Sequence, residues 1–248
     1  MRSAPADPAT DDPPRGSPAL PSRGRLGIVA TWVLIVPLLH VSSLVAPLVG
    51  LRLARPALGD PAVRLFLLLA VAFSLADLPT LFHDSKAVLR PPSADDRLAR
   101  RWGLFTGLLL LAAFWTGLLE RALAGGQGPA WPQACGALLM LAGTALRAAA
   151  VVTLGRAFIT EWRVDADQPL IEHRIYARVR HPSETGNLAV LLGACLVLES
   201  RLALAFFLLD GPMTLLRIRG EDRRLADVHG SRFRRYARRV KRLVPGIY

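Results

Sequence analysis

Long apolar runs separated by short basic stretches set the pattern of this chain. Residues 26–51 and 102–119 contain no charged side chain, and about 20 apolar residues of helix cross a bilayer core about 30 Å thick. Two further runs have the same character: 62–82, interrupted by Asp77, and 132–154, interrupted by Arg147. With 26–51 and 102–124 they predict four membrane-spanning helices. Pro37 and Pro47 lie in the first, where a membrane bundle can re-satisfy the freed backbone groups. The string Gly125-Gly126-Gln127-Gly128-Pro129 reads as the turn between the last two spans.

The pattern then changes. Residues 185–198 are apolar, Glu199-Ser200-Arg201 interrupts, and 202–209 are apolar again before Asp210-Gly211-Pro212. A 14-residue helix reaches only about 21 Å, so this stretch predicts a re-entrant helical hairpin rather than two full crossings. Beyond it, residues 221–228 and the stretch after Ser231 read as two short amphipathic helices, divided at His229-Gly230 where glycine can take a left-handed cap. Phe233, Tyr236, Val240 and Leu243 recur at spacings of three and four opposite arginines, so this face lies on an anionic leaflet or against the membrane domain.

Charge orients these elements. Arg2, Arg15, Arg23 and Arg25, then Lys86, Arg90, Arg97, Arg100 and Arg101, then Arg156, Arg163, Arg174, Arg178 and Arg180 fall on one predicted side; Arg52, Arg55, Arg64 and Arg121 fall on the other. Cytoplasmic loops are the ones rich in Lys and Arg, which puts both termini in the cytoplasm. Residues 1–25, rich in proline and charge without apolar period, read as a disordered tail, 26–154 as the spanning region and 155–248 as the region that carries chemistry.

Composition adds little. The 248 residues are 52% hydrophobic with mean hydropathy +0.34, close to what a soluble domain could show; it is the grouping of apolar residues that indicates a membrane protein. The net charge of +12 is carried almost wholly by arginine. No nucleic-acid recognition fold accompanies the basic carboxy-terminal end, so nucleic acid is not an expected partner. Cys135 and Cys195 both sit in apolar stretches and read as small buried residues rather than a disulfide, a nucleophile or metal ligands. Asp77 and Arg147 both fall toward the inner ends of their spans, where an ion pair is the expected arrangement for charges at membrane depth.

Polar residues cluster at 156–167, 178–184 and 217–229, all on one predicted side. Arg180-His181-Pro182 stands just before the hairpin, with proline suited to a helix's first turn. This brings a guanidinium and an imidazole to a helix amino terminus, an arrangement that binds anions. Basic anchoring at the membrane surface accounts for the same residues equally well on local chemistry alone.

The ordered series Leu-Ile-Glu-His-Arg-Ile-Tyr-Ala-Arg-Val-Arg (170–180), His181-Pro182, Gly186, hairpin, Glu221-Asp222, Leu225, His229-Gly230, Phe233, Tyr236, Val240 and Pro245 resembles the carboxy-terminal half of the isoprenylcysteine carboxyl methyltransferase family. That family is similar in turn to membrane phospholipid methyltransferases. The resemblance runs over about residues 143–245. It implies an all-helical membrane enzyme that binds S-adenosylmethionine at the cytosolic face and takes a lipophilic, lipid-like acceptor from the bilayer. Carried onto this chain, the motif implies cofactor-binding roles for Arg180, His181, Pro182, Gly186, Glu221 and Asp222, with Arg180 and Glu184 as catalytic candidates. A sulfonium donor already bears the reactive carbon, so the protein's task is alignment, water exclusion and cofactor retention, without a metal. Methyl transfer to a carboxylate oxygen is the first expectation, with sulfur or nitrogen as alternatives.

One position departs from the family pattern: Glu184 stands where it has tyrosine. Two readings apply, an ion pair with a nearby arginine at a helix amino terminus and a changed substrate site that accepts a proton or favours a less acidic acceptor. Other function classes also fit an all-helical membrane chain: a reductase using a nicotinamide cofactor, or a transporter or noncatalytic scaffold. Cofactor binding separates them from a methyltransferase. The sequence leaves the acceptor and the oligomeric state open.

Overall fold

A computed structural model describes residues 58–87, 94–125, 128–155 and 169–248. The expected amino-terminal tail, the first span at 26–51 and the polar stretch 156–167 lie outside the described residues. Within them the chain forms α1 (Pro61–Ala87), α2 (Ala94–Ala124), α3 (Ala130–Leu154), a single 3-10 turn (Arg174–Ala177), α4 (Pro182–Leu198) and α5 (Arg201–Arg239). Three helices contain segments long and apolar enough to cross a membrane: Pro61–Thr80, Leu104–Ala124 and Ala130–Leu154. Leu68, Leu123, Leu138 and Val152 point outward from them, each more than two-thirds exposed. Helices apolar on their outer faces as well as their inner ones belong in lipid.

Small residues set the tightest contact. Gly136 and Gly143 on α3 meet Gly193 and Gly186 on α4 in antiparallel register: a Cβ on Gly193 would lie 2.5 Å from the Gly136 carbonyl oxygen, and one on Gly186 would lie 2.6 Å from that of Gly143. Without a hydrophobic force between helices in lipid, close backbone approach supplies the packing. Around this seam Phe66 and Phe114 pack edge to face at 5.3 Å, and Met140, Leu191 and Leu198 are buried with them.

Two polar knots mark the ends of the bundle. At one, Arg121 at the end of α2 donates from Nε to Asp60 (2.6 Å) and from Nη1 to Glu199 (2.9 Å), while Gln133 donates to the other Glu199 oxygen (3.1 Å). At the other, Arg147 donates from Nε to Asp77 (2.6 Å) and from Nη1 to Ser183 Oγ (2.7 Å). The ion pair expected between Asp77 and Arg147 is therefore present. Because Ser183 and Glu199 belong to opposite knots, α4 and its turn join the same two ends as α1 and α3. From one knot to the other is 14 residues along α3 and 16 along α4, about 21–24 Å at 1.5 Å per residue. The first arm of the hairpin thus runs beside α3 between the same two ion-paired ends.

The second arm of the hairpin differs from expectation. Asp210-Gly211-Pro212 does not end a helix, so the first of the two expected amphipathic helices is the continuation of the hairpin's second arm; the expected division at His229-Gly230 is present, with the second helix running on to Arg239. In apolar surroundings no water competes for the backbone, so continuing the helix past proline costs less than exposing unpaired groups. The single break is at Gly230 (φ 54°, ψ −124°), a conformation open to glycine for want of a Cβ.

Candidate active site

Pro182 opens α4 as its first residue, and the non-helical backbone before it (His181 φ −121°, ψ 60°) leaves Arg180 and His181 at the helix mouth. The carboxy-terminal strap fixes that mouth. Arg180 N–H donates to the Lys241 carbonyl (2.9 Å) and His181 N–H to that of Arg242 (3.0 Å); Thr185 Oγ1 donates to the Leu243 carbonyl (3.0 Å). Phe233, Tyr236 and Val240 pack on Leu170 beneath it, and Tyr236 Oη donates to the Tyr176 carbonyl (2.7 Å). The terminal aromatic face therefore packs against the protein itself, the second of its two expected locations.

The arginine-histidine pair and the acidic doublet, 41 residues apart in sequence, meet here. Asp222 Oδ1 accepts from His181 Nε2 (2.9 Å), and its Oδ2 lies 2.7 Å from Arg242 Nε and 3.1 Å from Arg180 Nη1. Both oxygens are committed. Glu221 has a looser partner, His181 Nδ1 at 3.5 Å, and its side chain keeps 34% exposure. Burial works against charge on His181, yet Glu221 and Asp222 outweigh it and push the imidazole up to about 9. The ring is protonated at neutral pH, donating from both nitrogens. Burial likewise works against Asp222 and Glu221, but His181 holds both carboxyls below their usual range, with Arg242 helping at Asp222.

Glu184, one turn into α4, is buried and paired with Arg217 Nη2 at 3.4 Å. The carboxylate in the tyrosine position is thus neutralised by an arginine from α5. Gly186 packs against α3, its missing Cβ giving room to Arg147. Asp210, one turn before Thr214, is buried, and Thr214 Oγ1 lies 3.4 Å from its Oδ2.

The sequence pattern of the Isoprenylcysteine carboxyl methyltransferase (ICMT) family matches residues 136–227. The likeness covers 92 of the 248 residues. It takes in the glycine seam, the Arg180-His181-Pro182 mouth, the hairpin and the acidic doublet, and stops short of Gly230 and the strap. A solved structure of a eukaryotic intramembrane Ras methyltransferase, ICMT, superposes with a TM-score of 0.52 at 18% identity over 90% of this chain and 75% of that one, a likeness of fold. No curated protein matches the chain. The three helices long and apolar enough to cross a membrane, together with this likeness, mark the chain as a multi-pass membrane protein.

Sequence reasoning passed over Arg217 and Arg242, which complete ion pairs, Ser183, which accepts a hydrogen bond from Arg147, and three of the four seam glycines. The seven-residue spacing of Gly136 and Gly143, repeated by Gly186 and Gly193, was the available signal for the last.

Proposed function

We propose that this protein transfers a methyl group from S-adenosylmethionine to a lipophilic acceptor held in the membrane, at a carboxylate oxygen in the first instance. The observation that carries this reading is the junction of His181 with Glu221 and Asp222. Asp222 is saturated by three cations, whereas Glu221 is oriented by one and keeps acceptor capacity open. A carboxylate held in this way suits a ligand bearing amino and hydroxyl groups. When bound, the cofactor supplies a methyl on a sulfonium, which departs as a neutral thioether.

In this reading the chain's own groups divide the work. Glu221 accepts hydrogen bonds from the cofactor, and protonated His181 keeps Glu221 ionised and aimed. Arg180 and Asp222 hold the strap against the helix mouth, so their contribution to cofactor binding is to shape it. Pairing with Arg217 cancels the negative charge that Glu184 would otherwise set before an anionic acceptor, so a carboxylate acceptor remains compatible with a glutamate in place of tyrosine. A buried, water-poor setting favours attack by a desolvated oxygen anion on a cation, since the reaction consumes both charges. Both termini are proposed to be cytoplasmic, in keeping with the arginine-rich ends.

Incubation of the purified protein with methyl-labelled S-adenosylmethionine and a membrane lipid extract tests the reading. A labelled lipid that releases volatile methanol in alkali is the expected product, because only a methyl ester does so. Alkali-stable label would move the acceptor to nitrogen or sulfur; no labelled lipid in any fraction would overturn the proposal. Glu184→Gln and Glu184→Tyr address the acceptor separately, and unchanged turnover and substrate range in both would remove Glu184 from the site.

A further inference from the structure

The strap that closes the helix mouth has a second concave surface. Arg219 and Arg223 on α5, Arg234 and Arg238 beyond the Gly230 break, and Lys241 and Arg242 on the strap line one open cavity of about 660 Å³. Neither His181 nor Glu221 lines it. Arg180 forms part of its wall, and the lining holds one acidic side chain, that of Asp222, already engaged by Arg180, His181 and Arg242. Seven cationic side chains from four separate stretches of chain therefore converge on a space with no uncommitted acidic side chain.

Two further observations point to a missing anion. The Arg180 side chain is only 8% exposed, and its buried Nε finds no acceptor among the described residues. Burial opposes its charge and, although Asp222 supports it, neighbouring Arg242 adds repulsion, so the guanidinium is held below its ordinary value. Tyr248, on the opposite wall with Arg242 over its ring at 5.3 Å, is drawn below the usual phenol value by Arg219 and Arg242 in spite of burial. The Tyr248 shift reports the positive field of Arg219 and Arg242, and a buried guanidinium with an unpaired N–H beside further cations is favourable only when an anion accompanies it.

We infer that this cavity is a binding site for a phosphate group, presented on a lipid headgroup or as a free phosphate. Guanidinium forks match the tetrahedral oxyanion in pairs, and several such forks suit a dianion better than a single carboxylate. The cavity has the size of a small-ligand site. Its first arginine, Arg219, stands less than one helical turn beyond Leu216, which is 47% exposed on the apolar part of α5, and Ile247 on its rim is 77% exposed. Cationic side chains just past the apolar region stand at the level of lipid phosphates.

The test uses the full-length protein in phosphatidylcholine nanodiscs and radiolabelled orthophosphate in equilibrium dialysis. Saturable binding is expected. Arg234→Gln combined with Arg238→Gln, both exposed cavity residues outside the methyl-transfer machinery, weakens it about tenfold or more. Arg178→Gln combined with Arg235→Gln removes the same charge from exposed positions outside the cavity and shifts it by less than about twofold. Phosphatidic acid added to the discs then separates the sources: displacement of label assigns the site to a lipid headgroup, and retention assigns it to soluble phosphate. No saturable binding, or equal weakening in both double variants, would overturn the site, whatever the outcome for methyl transfer.

Discussion

Glu221 and Asp222 are adjacent carboxylates with different duties, and substitution should separate them. Asp222→Asn leaves three cations around an uncharged amide and should destabilise the protein by roughly 3 kcal/mol, read as an early thermal transition in detergent; Glu221→Gln, partly exposed and one of two carboxylates that keep His181 protonated, should lower the transition by less. His181 adds a pH dependence with a definite sign. Its imidazole lies at about 9 in the folded protein against an ordinary 6.5, so folding favours the protonated ring. That stability is complete below pH 6.5 and is lost as pH rises through about 9. The melting temperature should fall by several degrees across this window, and His181→Gln should flatten the slope. At this scale the sequence announced the groups with local signatures, the Arg180-His181-Pro182 string and the acidic doublet. It did not announce Arg217 or Arg242, because nothing local distinguishes the arginine that will meet a distant carboxylate from its many neighbours.

The α3–α4 seam decides how the helices are held. A Cβ at Gly193 would meet the Gly136 carbonyl oxygen at 2.5 Å and Met140 Cγ at 2.7 Å, and backbone cannot give way as a side-chain tip can. Gly193→Ala should therefore cost about 1–3 kcal/mol through overpacking. Gly211→Ala, where a Cβ meets nothing within 4 Å, should be neutral or slightly stabilising because alanine favours the helix; thermal unfolding of the two variants side by side makes the comparison. The apolar runs predicted α1 to α3 well, since burial in lipid leaves a long uninterrupted signature. The polar knots of Arg121 and Arg147, about 21–24 Å apart along α3 and α4, left no local signature because each joins residues distant in sequence. Pro212 misled, being a helix breaker in water and a tolerated residue in lipid.

Across the whole molecule, one end of the bundle is tied by Arg121, Asp60 and Glu199 and the other carries the candidate site. The strap crosses that second end and holds the Arg180-His181 mouth through three hydrogen bonds from Arg180, His181 and Thr185. Ending the chain after Val240 removes all three acceptors together with Arg242. Such a protein should keep its helix content by circular dichroism and lose cofactor binding, which would place the strap in the assembly of the site and not in the folding of the bundle.

The most direct test of the central claim is calorimetric titration of the full-length protein in nanodiscs with S-adenosylmethionine. Saturable binding is expected, weakened about tenfold or more by Glu221→Gln while the fold is retained. Absence of saturable binding, binding indifferent to that substitution, or selective binding of NADPH instead would contradict the account.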